Sequence, residues 1–310
     1  MSLLLYDENI DFFASPFAYI DDRQTAKDWI YHGAMDSCRA LNKLWFLEAD
    51  VRTYKTRFLH ETNPEFMTNE KTVEHYKNLV FVGPKTQEET LWVMLRSFAK
   101  VLISKHAFWW FDMWGGWYDS PKMMELVERA RALYADDLQR RTRNISELAV
   151  VLDENASYTV SEEYHHLMFK QQLVELGFVG APYDIYLSTD EEKLDRNKYK
   201  TILRLLPTDL LQRVNVLENQ RDNMAKQDKF SAAEVAAELR KQGTHVFSEG
   251  NIVYANSRFV CLTAVKDGEI KLVMPNHCKL QAFTDGKTYQ GKEFAFDFKV
   301  NQTELFEIIQ

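Results

Sequence analysis

The chain has 310 residues, an ordinary globular composition and a formal net charge of -8, with a pI near 5.6. This length predicts about two domains, with ample chain to bury a core. The acidic balance argues against nucleic acid or an anionic membrane as the main partner, because neither attracts a negatively charged surface. The charge does not exclude a small neutral ligand.

The residue types that hold metals and disulfides are sparse. Cys38, Cys261 and Cys278 are odd in number and widely spaced, which predicts neither a disulfide framework nor a zinc site. His165 and His166 are adjacent on a predicted helix, which is not the i, i+4 spacing of paired zinc ligands. We therefore expect no metal and no cofactor.

Membrane and export signals are also missing from the sequence pattern. No apolar run reaches the roughly 18 residues of a membrane span. The first residues lack a basic region followed by an apolar core, as a signal peptide would have. The compartment is unknown from sequence, and the cytoplasm is the default expectation.

The first part of the chain alternates predicted strands with predicted helices. Strands are expected at 10–19, where Pro16 breaks the run, at 43–48 and at 107–111, and helices around 35–41, from about 86 to 105 and from 121 to 143. Such alternation requires a parallel sheet with right-handed crossovers. Only about three βα units are visible in this region.

The predicted strand at 43–48 carries acidic residues to its carboxyl end. On strand alternation Leu44, Phe46, Glu48, Asp50 and Arg52 point to one side. A neighbouring arginine holds a carboxylate ionised, which suits a nucleophile better than an acid, so Glu48 is the favoured catalytic residue. A purely structural ion pair among Glu48, Asp50 and Arg52 fits the same spacing.

The stretch 106–121 holds four of the seven tryptophans. Its apolar part, 107–111, predicts a strand buried on both faces, and Gly115 and Gly116 predict a tight turn after it. Ser120 followed by Pro121 is typical of a helix start. The aromatic loop therefore lies at the carboxyl end of a strand, where α/β folds bind ligands.

This aromatic loop suits a sugar. Indole rings stack on the C–H faces of sugars, and Asp112 can accept hydrogen bonds from hydroxyl groups. The alternative is that these rings are buried in the core, since aromatic side chains bury well anywhere. For Trp109 core burial and sugar contact are equally favoured. Core burial is disfavoured for Trp114 and Trp117, which flank the glycines.

After a predicted boundary near Arg143 the βα rhythm begins again. Strands are expected at 147–153, 183–187 and 200–206 and helices at 161–176, 210–230 and 231–242, in a flavodoxin-like arrangement. No serine or cysteine follows a strand on a sharp turn, and no glycine-rich loop is present, which argues against amidotransfer and nucleotide binding. The remaining chain alternates like antiparallel strands, at 253–256, 259–265, 270–274, 279–283, 294–298 and 305–309.

Two motifs resemble a known family. With LWFLEADVRT at 44–53 and FWWFDMWGGWY at 108–118, the chain resembles bacterial glycoside hydrolases similar to family 42, the β-galactosidase type. The resemblance implies a partial (β/α)8 barrel, its last three βα units, in 1–143. It further implies a glutamine-amidotransferase-like α/β domain of the trimerisation type in 144–242 and a small antiparallel β-domain in 243–310.

The resemblance also implies residue roles. Glu48 falls at the catalytic nucleophile of the seventh barrel strand, and Trp110 with Asp112 falls at the substrate-binding end of the eighth. Asp50, Arg52 and Trp114 are the further expected sugar contacts. The Asn-Glu motif of the fourth strand, which holds the proton donor, has no counterpart here, since a full barrel takes about 250 residues.

These implications predict the carboxyl-terminal part of a retaining glycosidase for β-linked sugars, inactive alone. The expected partners are a carbohydrate and either further copies of the chain or the missing amino-terminal part of the barrel. The alternative is a non-catalytic protein that binds carbohydrate or serves structure and oligomerisation.

Overall fold

The computed structural model describes residues 1–19, 26–67, 69–77, 81–158, 160–205 and 229–309. Its strands form two parallel three-stranded sheets and one antiparallel five-stranded sheet. The mixed α/β class with a separate antiparallel sheet, expected from the sequence, is confirmed. Within the described ranges no helix is both long enough and apolar enough to cross a lipid bilayer.

The strands are numbered along the chain. They are β1 (Phe12–Pro16), β2 (Leu44–Ala49), β3 (Ala107–Trp110), β4 (Leu148–Leu152), β5 (Tyr183–Leu187), β6 (Thr201–Leu205), β7 (Ile252–Ala255), β8 (Phe259–Thr263), β9 (Gly268–Ala282), β10 (Thr288–Phe298) and β11 (Thr303–Ile309). The sheet orders are β1-β2-β3, β5-β4-β6 and β10-β9-β11-β8-β7.

The helices are mostly short. They are α1 (Ser2–Leu5), α2 (Met35–Ala40), α3 (Leu59–Thr62), α4 (Glu70–His75), α5 (Gln87–Ser104), α6 (Pro121–Leu138), α7 (Glu154–Ser157), α8 (Glu162–His165), α9 (Gln172–Leu176) and α10 (Ala232–Lys241). A π-helical segment, His166–Gln171, joins α8 to α9, and 3-10 turns lie at Tyr54–Thr56, Pro64–Phe66, Gly177–Val179 and Ser188–Lys193. The helix expected at 210–230 lies outside the described residues up to position 228.

The first sheet has one buried and one open face. On the buried face Trp45, Leu47 and Ala49 are at most 4% exposed, and the first two share a core with side chains of α2 and α5. On the other face Phe12 is 57% and Leu44 43% exposed. The expectation that 107–111 is buried on both faces is wrong, because all four residues of β3 are only half-buried.

The long helix α5 packs its buried side chains against the first sheet. Hydrogen bonds between neighbouring residues fix where this helix begins. Thr86 accepts a hydrogen bond from the backbone N–H of Glu89 at 3.1 Å, and the Glu89 carboxylate accepts one from the Thr86 N–H at 3.2 Å. This capping box satisfies two N–H groups that the first helical turn leaves free. The helix start predicted at these residues is confirmed.

The second sheet carries the expected parallel arrangement. Its order β5-β4-β6 puts the first strand of this region in the centre, as in the first three strands of flavodoxin-like sheets. All five residues of β4 are buried, as expected of a central parallel strand covered on both faces. The third sheet differs from the expected strands in two places. The strands expected at 270–274 and 279–283 are one strand, β9, and the strand expected at 294–298 begins at Thr288, as β10.

Pro275 lies inside the continuous strand β9. It lies where the pairing of β9 with β10 shifts register between Gly291 and Glu293. Proline lacks the N–H that a ladder requires, so it is tolerated at such an irregularity. The sequence pattern predicts one strand that ends at 274 and another that begins at 279, whereas the structure accommodates Pro275 in a bulge of one continuous strand.

The three sheets share one hydrophobic core. Leu47 of β2, Val150 of β4 and Phe259 of β8 are completely buried members of it. The antiparallel sheet has in addition a second core of its own, which includes Val260, Leu272 and Phe296. The sequence pattern predicted successive domains and contained no sign of this shared core.

One buried carboxylate, that of Asp28, forms hydrogen bonds with side chains from α5, from the second sheet and from the third sheet. Asp28 is fully buried and accepts hydrogen bonds from Lys100 Nζ at 2.7 Å, Tyr183 Oη at 2.8 Å and Tyr254 Oη at 2.5 Å. These donors come from α5, β5 and β7. Gly177 packs so closely that a Cβ there would lie 2.2 Å from the Asp28 Cβ, so this position requires glycine.

Candidate active site

The carboxyl ends of β1, β2 and β3 lie at one edge of the first sheet. Glu48, the second-last residue of β2, pairs in register with Pro16 of β1 and with Trp109 of β3. Its side chain is half-buried and lies on the open face of the sheet, together with Phe46. The rings of Phe46 and Trp109 lie 4.9 Å apart on that face. Glu48 therefore lies at the end of an aromatic surface formed by Phe46 and Trp109.

Asp50 and Arg52 do not continue this face. The strand ends at Ala49, and the chain turns there, since the N–H of Val51 donates to the Ala49 carbonyl at 2.9 Å. Asp50 and Arg52 are each 2% exposed and form a buried ion pair. The expectation that they point to the same side as Glu48 by strand alternation is wrong, because alternation holds only while the strand lasts.

Aromatic residues enclose this ion pair. The Tyr19 hydroxyl donates to Asp50 Oδ2 at 2.5 Å. The Arg52 guanidinium lies 4.7 Å from the centre of the Trp117 ring and 5.6 Å from that of Phe81. A cation over an aromatic face in a dry site is stabilised by the ring quadrupole. The pair thus supports the loop beneath the site, and its predicted contact with sugar remains a prediction.

The loop after β3 folds back on itself. The Trp117 N–H donates to the exposed carboxylate of Asp112 at 3.2 Å, across Gly115 and Gly116, which both have φ of +82°. Such backbone angles favour glycine. Trp117 is 1% exposed, so the expectation that the rings beside the glycines are disfavoured as core residues is wrong for Trp117. The turn carries its ring inward, under Arg52.

Trp114 is the ring of this loop that stays near the surface. It is half-buried, and its ring packs edge-on against Trp117 at 6.1 Å and Tyr76 at 6.3 Å between centroids. Together with the exposed Asp112 it leaves an indole and a carboxylate at the same edge as Glu48. Their contact with a sugar stays a prediction.

Trp110 lies on the other face of the sheet. Its indole Nε1 donates to Ser97 Oγ of α5 at 3.3 Å, and its ring packs 6.5 Å from that of Phe98. The sequence reading expected Trp110 at the substrate-binding end, whereas the structure places Trp109 on the Glu48 side. Only the register between β2 and β3 decides which of two adjacent tryptophans faces which way.

Several residues of the site were missed by the sequence reading. Thr53 Oγ1 donates to the Trp117 carbonyl at 2.6 Å, and the Tyr118 hydroxyl donates to the Val51 carbonyl at 3.0 Å. Burial, reinforced by the charge of Asp50, raises the pKa of Tyr118, so it remains a hydrogen-bond donor at neutral pH. The loops after β2 and β3 therefore form one unit. Tyr19 and Phe81 carry no motif that would have revealed them.

Comparison with solved structures identifies a similar fold. A catalytic mutant of a GH42 β-galactosidase from G. stearothermophilus matches with a TM-score of 0.50 and 10% identity, over 97% of this chain and 60% of that chain. The chain resembles part of a family 42 β-galactosidase fold. A β-galactosidase from Bacillus circulans sp. alkalophilus matches with a TM-score of 0.48 and 10% identity, over 88% and 61%.

The predicted resemblance is thus confirmed for the fold. At 10% identity the likeness shows the fold alone, and the chain spans about 60% of the length of the family 42 enzyme it matches. That share agrees with the carboxyl-terminal part expected from the sequence. No family model and no curated protein matches the chain.

The part of the chain that the structure describes holds no group of three or more His, Cys, Asp or Glu side chains that could bind a metal ion. The predicted site residues at this edge are Glu48, Asp112 and Trp114, and the half-buried ring of Trp109 lies beside Glu48.

Replacing Asp50 by alanine is expected to lower the free energy of unfolding by about 3–5 kcal/mol, because it leaves the buried charge of Arg52 unpaired. Chemical denaturation followed by circular dichroism measures this loss. Asp112→Ala is the matched control, since that carboxylate is exposed and should change stability by about 1 kcal/mol or less. Equal effects of the two substitutions would show that the Asp50 and Arg52 pair does not support the loop.

Proposed function

We propose that this chain carries the nucleophile half of the active site of a retaining glycoside hydrolase for β-linked sugars, of the β-galactosidase type. One observation supports this most directly. Glu48 is the second-last residue of the central strand of a parallel sheet and lies on the face of Trp109, near the loop of Asp112 and Trp114, in a fold similar to a GH42 β-galactosidase.

The proposed chemistry needs two carboxylates. In a retaining enzyme one attacks the anomeric carbon and forms a glycosyl-enzyme, while the other, about 5 Å away, protonates the leaving oxygen and later activates water. Glu48 is the nucleophile in this proposal. The bond from sugar to leaving group breaks as the Glu48 ester forms, and water then releases the sugar and restores the carboxylate.

The acid does not come from the described strands. On the open face of β1 to β3 the residues other than Glu48 are Phe12, Ala14, Pro16, Leu44, Phe46, Ala107 and Trp109, none of them acidic. Asp50 is committed to Arg52 and Tyr19. We therefore propose that the acid is supplied by further strands that pair with an open edge of this sheet.

The sugar contacts in this proposal come from the loop after β3. The half-buried indole of Trp114 offers a flat surface for the C–H groups of a galactose ring. Asp112 accepts one backbone hydrogen bond, from Trp117, and a carboxylate has about four acceptor positions, so it can also accept from a sugar hydroxyl. Trp109 lines the open face next to Glu48.

Covalent labelling tests the role of Glu48. The chain is co-purified with the polypeptide encoded directly upstream and treated with an activated 2-fluoro galactoside, which traps the glycosyl-enzyme. Mass spectrometry of the peptides should find the sugar on Glu48, and Glu48→Gln should remain unlabelled. Asp119→Asn, at an exposed carboxylate of the loop after β3, serves as the control and should still be labelled on Glu48. Labelling of Asp50 or Asp112 in the unsubstituted chain would refute the assignment.

A second candidate function is structural. Among the residues that the structure describes, the first sheet has an open face and no strand beyond β1 or β3, which favours an assembly role without catalysis. Tryptophan fluorescence with methyl β-galactoside distinguishes the two. The proposed enzyme part should show saturable quenching that Trp114→Ala removes, whereas a protein with only an assembly role should show none.

A further inference from the structure

A groove of about 370 Å3 runs along β3. All four residues of β3 line it, from both faces of the strand, and side chains of α6 form its other wall. No residue of β2 lines it, so the groove follows the edge of β3 that faces away from β2. It therefore lies where a fourth strand of the first sheet would lie. Neither Asp112 nor Trp114 lines it, so it is separate from the loop of the candidate active site.

The backbone of β3 is unpaired along this groove. The Phe111 N–H donates to the Ala49 carbonyl at the end of β2, so by strand alternation Phe108 and Trp110 direct their N–H and C=O groups the other way. Among the residues that the structure describes, none bonds these groups. Two donors and two acceptors therefore face the groove, and such an edge is a template for a further strand.

Helix α6 covers a space that no described strand fills. Val127, Tyr134 and Leu138 recur at helical spacing and line the groove, and Leu138 is 61% exposed. The Tyr134 hydroxyl donates to the His106 carbonyl at 2.5 Å, which fixes the helix against the start of β3. After α6 the chain continues into β4, which belongs to the second sheet. The apolar stripe of α6 is therefore left without a strand to cover.

The opposite edge of the first sheet is less suited to pairing. The Leu44 N–H donates to the Asp11 carbonyl at 3.1 Å, so by alternation Pro16 of β1 turns its backbone away from β2. Proline has no N–H to offer a further strand, and proteins use it to protect the edges of sheets. Of the two edge strands, β3 therefore presents the more complete set of backbone groups.

These features together require an extended polypeptide as the occupant. A lipid or a small apolar molecule would contact the apolar walls but leave the N–H and C=O groups of Phe108 and Trp110 covered and unbonded, which costs free energy. A strand bonds these groups and, because its side chains alternate, packs every second residue against α6. Its other residues lie on the face of Trp109 and Glu48.

We propose that β3 binds an extended segment of a second polypeptide as the fourth strand of the first sheet, with apolar residues at alternate positions against α6. The inference rests on the proposed function for the role of this strand, which extends the wall that carries Glu48 toward the acid that the described strands do not supply. The binding itself depends only on the edge of β3 and on the stripe of Val127, Tyr134 and Leu138.

The probe is a synthetic peptide, acetyl-Lys-Val-Thr-Val-Thr-Val-Lys-amide, titrated into the intact chain. Hydrogen exchange followed by NMR should show the amides of Phe108 and Trp110 becoming protected along a saturating curve. Leu138→Lys should weaken binding about tenfold or more, because it removes the burial of one large apolar side chain. Met124→Lys is the matched control and should leave binding unchanged, because Met124 lies on the same helix, is 52% exposed and does not line the groove.

A second variant and a second peptide sharpen the test. Ala135→Lys, at an exposed position of the groove wall, should block the peptide as Leu138→Lys does. The peptide acetyl-Lys-Val-Val-Thr-Thr-Val-Lys-amide has the same residues without alternation and should bind more weakly. Equal binding of the two peptides would contradict pairing as a strand. Equal effects of Leu138→Lys and Met124→Lys would place the peptide elsewhere.

Two further outcomes would refute the proposal. If the peptide leaves the amides of Phe108 and Trp110 unprotected, β3 does not accept a strand. If these amides are protected without peptide, and sedimentation shows dimers that Leu138→Lys abolishes, the occupant is a second copy of this chain. The titration uses neither sugar nor turnover, so it can fail while labelling of Glu48 succeeds, and it can succeed while that labelling fails.

Discussion

The isolated chain is expected to hydrolyse aryl β-galactosides no faster than buffer. Glu48 is the nucleophile in the proposal above, and the described strands place no second carboxylate on its face of the sheet. A positioned general acid commonly contributes about two to four orders of magnitude to the rate. The open face of the sheet also gives the sugar only part of an enclosing wall, which weakens binding further.

The measurement is the release of nitrophenol from an aryl β-galactoside by purified chain, compared with buffer and with Glu48→Gln. The chain and its variant should be indistinguishable. Turnover that disappears in Glu48→Gln would contradict this prediction and would make Asp112, the exposed carboxylate at the same edge, the second catalytic group. Asp112→Asn would then be the decisive variant, because it keeps the shape of the side chain and removes the charge.

The second expectation concerns association of the chain with itself. In the described part of the chain β1 and β3 are the edge strands of the first sheet, and each presents unpaired backbone groups. Phe12 and Leu44 are 57% and 43% exposed on its open face. Full burial of such a side chain stabilises by roughly 1.5–3 kcal/mol. Several of them together favour association by several kcal/mol, so the chain should form oligomers or leave its first 118 residues mobile.

Sedimentation across a concentration series measures the association, and hydrogen exchange measures protection of the strands. The double variant Phe12→Lys with Leu44→Lys should shift the chain toward monomer. Val300→Lys is the matched control, since Val300 is 42% exposed but belongs to the turn before β11. A compact monomer whose amides are protected throughout β1, β2 and β3 would show that the first sheet needs no further strands to be stable. That result would refute the proposal of an incomplete barrel.

Local features of the fold were predictable where short-range chemistry decides them. The capping box of Thr86 with Glu89, the helix start at Pro121 and the strand alternation of Leu44, Phe46 and Glu48 all follow from residues within a few positions of one another. The motifs around Glu48 and Trp110 also led to the family 42 fold, which the structural comparison confirms.

The orientation of the site residues was less predictable. Alternation places Glu48 correctly because the strand reaches it, and fails at Asp50 and Arg52 because the strand ends at Ala49. The choice between Trp109 and Trp110 depends on the register of β3 against β2, which no local pattern specifies. Trp117 is buried because Gly115 and Gly116 reverse the chain, and because its ring packs against the guanidinium of Arg52.

By itself the sequence determined the order of strands and helices, the acidic character of the chain and the position of Glu48 at a strand end, since these depend on side-chain patterning along the chain. Only the tertiary structure decided what joins distant segments. Asp28 meets Lys100, Tyr183 and Tyr254 in space although 72 to 226 positions separate them in sequence. Burial of that carboxylate, and of His106, depends on how the three sheets pack, because desolvation is a property of all surrounding atoms and not of neighbours in the chain.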